Sequence, residues 1–191
     1  MINVQTYYLI FNTMKINFSL LFVGLLLLGW SATSCNCNAT DDQAQSAAKT
    51  HANVILKDYG SEPTVLDIDD YTVTNENFRT ALWTGTFLQV TLMSITVGGE
   101  VGLEIHPDTD QFLRIEEGQA KVMMGDTQET LTFVKEASAD FAIIVPAGKW
   151  HNIINTGDKP LKIYSIYAPK HHPYGTVHKT FEEAEEAEHD H

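Results

Sequence analysis

The sequence is short of positive charge. Its 191 residues hold 12 lysines and arginines against 25 aspartates and glutamates, a formal net charge of −13. That argues against nucleic acid and anionic membrane surfaces as partners, because both are bound through basic patches. Cysteine is nearly absent: Cys35 and Cys37 are the only two. Residues that close rarely meet disulfide geometry, so no disulfide framework is expected. The apolar run at residues 18–30 is about 13 residues long, short of the roughly 20 that a spanning helix needs. No helical period stands out before the C-terminal residues, and no internal repeat is evident. Nucleophile elbow, phosphate-binding glycine loop and paired-cysteine zinc motif are all missing. Hydrophobic residues still make up 43% of the chain, enough for the core of one domain.

What is present begins with a signal-type segment. Lys15 precedes the apolar run, and the small polar residues "SATSC" follow it. A charged start, a short apolar core and a small-residue cleavage zone read as an export signal over residues 1–34, with Met14 as the true start. The zone ends at Cys35, and "ATSC" resembles the lipobox of bacterial lipoproteins, with Ala32 where a leucine usually stands. The expectation is a lipid-modified Cys35 that anchors the protein in the cell envelope, facing the periplasm or the cell surface. Membrane contact would then be made through that anchor alone; an ordinary cleaved signal is the alternative. Residues 35–50 are polar and read as a tether. Residues 181–191, "FEEAEEAEHDH", carry acids and no base, and read as an acidic tail, either frayed helix or solvated chain. Residues 51–180 remain for the folded domain.

From about residue 65 to 168 the pattern is that of strands. "TFLQVTLMSITV" is rich in β-branched and apolar residues and stops at Gly98–Gly99. "QFLRIEEG" alternates, with Phe112, Arg114 and Glu116 on one side and Leu113 and Ile115 on the other. "FAIIVPAG" and "LKIYSIYAP" are further strands, each closed by proline. Short strands with turns every 8 to 12 residues predict an all-β sandwich or barrel.

The stretch "EIHPDTDQ" carries the chemistry. On a strand, residues two apart face the same way, so Glu104 and His106 aim together. Pro107 and the acids turn the chain, and Gln111 opens the next strand within reach of the same point. A distant ligand is offered by His151 in "PAGKWHNIIN".

These two stretches resemble the two motifs of the cupin superfamily. "GGEVGLEIHPDTDQFLRIEEG" is similar to the first motif through Gly98 or Gly99, His106 and Gly118, with Glu104 at the first histidine position and Gln111 at the glutamate position. "PAGKWHNIIN" is similar to the second through Pro146, Gly148, His151 and Asn155. The glycine usually found six residues before that proline is replaced by Asp140. The resemblance implies a double-stranded β-helix, the jelly-roll cupin barrel, with one divalent metal ion held by Glu104, His106, Gln111 and His151. Both departures keep a coordinating group and leave the ligand charge at minus one. Two imidazoles and a carboxylate suit iron, manganese, nickel or zinc without choosing among them. "EIHP" followed by glutamine also looks like the pattern of type I phosphomannose isomerases with the two side chains exchanged.

Cupins carry many chemistries, so three readings stay open. One is an enzyme of the envelope using the metal as a Lewis acid on a small sugar, hydroxy acid or oxo acid, with Glu104 as ligand or base. The second is an iron-dependent dioxygenase. The third is a cupin that binds a sugar or metal without turnover. The partner in each case is a small molecule, and a homodimer is left open. Arg79 and Trp83 would share a strand face and could hold a carboxylate or stack a sugar, against the plainer reading of an outward arginine beside a packed tryptophan. Phe112, Arg114, Tyr164 and Tyr167 read as barrel-mouth or core residues. His171, His172 and His178 follow the last long strand and read as surface loop, or as a lid. Arg79 and His178 are the further catalytic candidates.

Overall fold

The computed structural model describes residues 51–189. The signal-type segment, the Cys35 lipidation site, the tether at 35–50 and the last two residues lie outside them. Ten strands are found among the described residues: Arg79–Thr84 (β1), Gln89–Ile95 (β2), Glu104–Ile105 (β3), Asp110–Glu117 (β4), Gln119–Gly125 (β5), Phe133–Ser138 (β6), Ala142–Val145 (β7), Trp150–Asn155 (β8), Leu161–Ala168 (β9) and Val177–His178 (β10). Helix α1 spans Ile68–Thr74 and α2 spans Phe181–His189. All pairings are antiparallel. A six-stranded sheet runs β10-β1-β2-β9-β4-β7 and a four-stranded one runs β3-β8-β5-β6. Two facing antiparallel sheets of this order form the expected all-β jelly roll.

The alternation read in β4 holds. Gln111, Leu113 and Ile115 are buried, while Phe112 and Arg114 face outward. Leu161 and Ile163 of β9, Met93 and Ile95 of β2, and Val122 and Ile153 of the facing sheet complete an apolar core. Burying such a side chain contributes roughly 1.5–3 kcal/mol, so this part of the interior supplies much of the stability. Gly118 turns β4 into β5 at φ 99°, and a Cβ there would sit 3.0 Å from the Leu161 backbone. Only glycine meets both conditions comfortably.

One helix departs from the strand-only reading, and a second decides between the two readings of the acidic tail. Residues 68–74 form a helix, capped by the Asp67 side chain accepting from the Asp69 amide at 3.2 Å. Its seven residues are too few to show a period, and the cap was its sequence signal. The acidic C-terminal segment is a helix with one face packed: Ala184 is 2% exposed and Phe181 meets Phe78 edge-on at 5.5 Å. The sheet also corrects the Arg79–Trp83 pairing. The β1–β2 register shifts between Ala81 and Trp83, a bulge that re-aims every later side chain. Trp83 is half-buried and donates to the Glu62 carbonyl, whereas Arg79 is buried at 1% exposure and is not an outward arginine.

Candidate metal centre

The inward residues of the barrel change character along the strands. On β9, Leu161 and Ile163 give way to Ser165 and Tyr167, and on β4 the same end begins with Gln111. Facing them, β3 pairs with β8 so that Glu104 stands directly opposite His151. Residues opposite in an antiparallel pair have neighbouring side chains, which is how positions 104 and 151 meet. The Gly148 amide donates to the His106 carbonyl at 2.8 Å, and the Ala147 amide to Asp110 Oδ1 at 2.9 Å. The two motif stretches are thus laced together by one backbone bond and one backbone-to-side-chain bond.

Glu104 Oε1 lies 3.2 Å from His106 Nε2 and 3.1 Å from His151 Nε2. The carboxylate is 13% exposed and the two imidazoles 4% and 1%. Burial alone would raise the Glu104 pKa. The hydrogen bonds and charges of the two histidines outweigh it and hold the carboxyl well below its usual range. Gln111 is 1% exposed and donates from Nε2 to Ser165 Oγ at 2.9 Å, which leaves its Oε1 buried with no hydrogen-bond partner.

The donor set fits a metal ion on three grounds. His151 Nδ1 lies 3.0 Å from the Lys149 carbonyl, which can only accept, so Nδ1 carries the proton. In the neutral ring Nε2 is then a bare lone pair, yet it faces a carboxylate oxygen, also a lone pair. Only a cation or an extra proton reconciles two acceptors at that distance. Second, ligand atoms about 2.1 Å from one ion at right angles lie about 3 Å apart, close to both separations. Third, a buried amide oxygen without a donor costs about 1–3 kcal/mol unless something binds it.

Around this centre stand Tyr167, His171 and His172, which the sequence offered as barrel-mouth and lid candidates. The His106 ring lies 4.2 Å from His171 and 5.6 Å from Tyr167, and His172 meets Tyr167 at 5.1 Å. The loop carrying the two histidines is pinned by Gln89. Its Oε1 accepts from the His172 amide at 2.8 Å and its Nε2 donates to the His172 carbonyl at 3.0 Å. Asp58 supports the same loop, accepting from the Gly175 amide at 2.9 Å and the Thr84 hydroxyl at 2.6 Å. The plain surface-loop reading therefore fails for His172, which is 8% exposed, while the exposed His171 lies against His106, nearer the alternative reading of a lid. Burial, with Arg79 nearby, keeps His172 neutral, and burial with the neighbouring His106 lowers His171 to about 4. The Tyr167 phenol is pushed up to about 12 by burial.

Beside the centre lies a cavity of about 340 Å³, lined among others by Glu104, His106, His171, His178 and Glu188. His178, on β10 opposite Arg79, reaches it. Arg79 is held by Glu188, which lines the same space. Trp83, Phe112, Arg114 and Tyr164 do not join the site: Phe112 and Tyr164 pair on the outer face at 6.2 Å, and Arg114 pairs with Glu116 and Asp140.

The barrel and the position of its donors define a cupin. Residues 91–167 match the cupin domain family, and the chain belongs to the cupin superfamily. It is 57% identical over 136 residues to the uncharacterized protein YrkC of Bacillus subtilis, covering 71% of this chain and 73% of that one. The uncharacterized protein L612 of Acanthamoeba polyphaga mimivirus is 37% identical over 114 residues, covering 59% of this chain and 69% of its own length. The crystal structure of BH2720 from Bacillus halodurans superposes with a TM-score of 0.68 at 58% identity, over 68% of this chain and 98% of that one. Asp140, where cupins usually carry glycine, has φ 72° and is the one non-glycine residue at positive φ among those described. Aspartate tolerates that region better than most side chains, so the backbone turn survives the substitution.

Proposed function

We propose that this cupin holds one divalent metal ion between Glu104, His106, His151 and the Gln111 amide oxygen, and acts on a small sugar, hydroxy acid or oxo acid admitted through the adjoining cavity. The observation that carries the reading is the confrontation of His151 Nε2 with Glu104 Oε1, with Nδ1 already committed to the Lys149 carbonyl. A bound ion would act as a Lewis acid on a carbonyl or hydroxyl oxygen. The chain's own contribution is positional. Glu104 stays ionised and balances charge, and the neutral His171 offers a nitrogen to a substrate hydroxyl at the cavity. Tyr167, His171 and His172 restrict water around the centre.

Two histidines and one carboxylate on one centre also favour a second reading, an iron-dependent dioxygenase. Metal identity separates the two, because zinc cannot do redox work. The test is elemental analysis of protein purified without a polyhistidine tag. About one equivalent of a transition metal, lost in His151→Ala, is the expected result; wild-type protein that neither carries nor takes up metal would sink the proposal. The proposal also places the protein at the cell envelope, anchored through Cys35. Its support is the signal-type segment that ends at that cysteine, and mass spectrometry of the mature N-terminus decides it.

A further inference from the structure

Arg79 is a costly residue in its position. Its side chain is 1% exposed, and an arginine stays charged wherever it is put. A guanidinium brings five N–H donors, matched to the two oxygens of a carboxylate. Here Nη1 donates to a single oxygen, Oε1 of Glu188, at 3.1 Å, while Nε is buried with no hydrogen-bond partner. A purely structural buried ion pair would be expected to use a buried carboxylate and satisfy its donors. Glu188 is instead 39% exposed and stands in the last turn of the C-terminal helix, where helices fray. It also lines the cavity beside Glu104 and His106. A further polar atom next to Arg79 lacks a partner, His178 Nδ1. His178 lines the cavity and Arg79 lies behind it through Glu188, and an unsatisfied polar group at a cavity is a place where a polar ligand can bind.

We propose that Arg79 anchors the carboxylate of a small acidic ligand, and that Glu188 is a built-in carboxylate that occupies the guanidinium until such a ligand displaces it. The inference rests on the metal-site reading only for the ligand's other end, where an oxo or hydroxyl group would meet the centre. It narrows the substrate class to acids over neutral sugars. It also gives the acidic helix a role, since the ligand must compete with Glu188 for one guanidinium.

The test follows the Arg79 Nε–H signal by NMR during titration with lactate, which has a carboxylate and a hydroxyl, and with lactamide, which has no charge. Lactate is expected to shift the signal and lactamide to leave it. Glu188→Gln is expected to bind lactate about tenfold more tightly, having lost the internal competitor. Arg79→Lys, checked for folding by thermal denaturation, is expected to lose lactate binding. Should that variant fail to fold, Glu188→Gln decides alone. Equal lactate affinity in wild type and Glu188→Gln, or equal response to lactamide, overturns the inference. Metal content measured on the same samples keeps the two readings apart. Metal present with no gain in Glu188→Gln removes this inference and leaves the metal site. A gain in Glu188→Gln without metal supports the anchor and removes the metal site.

Discussion

Among the described residues, two clusters bring histidine and carboxylate side chains together. At one, Glu104, His106 and His151 place their ligand atoms within 4.8 Å of one another, and His51, Asp69 and Asp70 do the same at the other. Residue type and spacing do not tell them apart; surroundings do. His51 is 32% exposed and pairs with Asp70 at 3.0 Å on the first turn of α1. Acidic residues are favoured there by the helix dipole, so their presence has a structural reason. Glu104 has no such reason. Its carboxylate, 13% exposed, stands between two imidazoles at 4% and 1%, one with its other nitrogen held by a backbone carbonyl, and Gln111 on β4 buries an amide oxygen without a donor. Lone pairs with nowhere else to go are what the proposed metal ion would satisfy.

The contrast is tested most strongly at His151. His151→Ala should reduce metal affinity at least about 1,000-fold, or roughly 4 kcal/mol, because water does not replace an imidazole nitrogen well. Competition with a chelating dye measures it, with thermal denaturation as the check on folding. Glu104→Gln should come next, at about 100-fold, or roughly 2.7 kcal/mol, since the dication loses its one balancing charge. Unchanged affinity in either variant would erase the distinction between the two clusters.

Much of this was legible in the sequence for a simple reason. Glu104 and His106 are two apart on a strand, and the motif spacing around Gly118, Pro146 and His151 constrains the barrel. What escaped was set by contacts between remote positions. Gln89 grips a loop 83 residues away, and Arg79 meets a glutamate 109 residues away. No local pattern encodes either. The bulge at Ala81–Trp83 reverses a face assignment that strict alternation would have fixed, and α1 was too short for its period to show.

A pH prediction is the next in size. His172 is buried neutral, its pKa lowered mainly by desolvation, whereas the unfolded chain takes up a proton near the ordinary value of 6.5. Below pH 6.5 the unfolded state therefore binds more protons, and stability falls as pH drops; above it the contribution is complete. One such group gives a slope of up to about 1.4 kcal/mol per pH unit. Urea midpoints at pH 7.5 and 5.0 should thus differ less in His172→Gln than in wild type, by up to about 2 kcal/mol. Coincident pH dependence would mean that His172 is already protonated in the fold. Smaller again is Gln111→Ala, expected to weaken metal binding about tenfold, since water can take the place of a neutral amide oxygen. Gln111→Glu should bind at least as tightly as wild type through the added charge. If Gln111→Ala proved as damaging as His151→Ala with the fold intact, the ranking of ligands would be wrong.

The smallest effect belongs to the other cluster and is the sharpest check on the comparison. His51→Ala removes the imidazole that pairs with Asp70. The His51 partner is solvent-accessible, and pairs of that kind contribute about 0.2–1 kcal/mol and are weakened by salt, so the stability change should stay at about 1 kcal/mol or below and shrink at high ionic strength. Metal stoichiometry should not change, because the His51 ring is 32% exposed and Asp69 and Asp70 already serve the first turn of α1. Elemental analysis of His51→Ala beside His151→Ala reads both outcomes in one experiment. Metal retained in the first and lost in the second is the expected result. Loss in both would move the ion, or a share of it, to the helix terminus. Burial of the imidazoles would then no longer distinguish the two clusters in this fold.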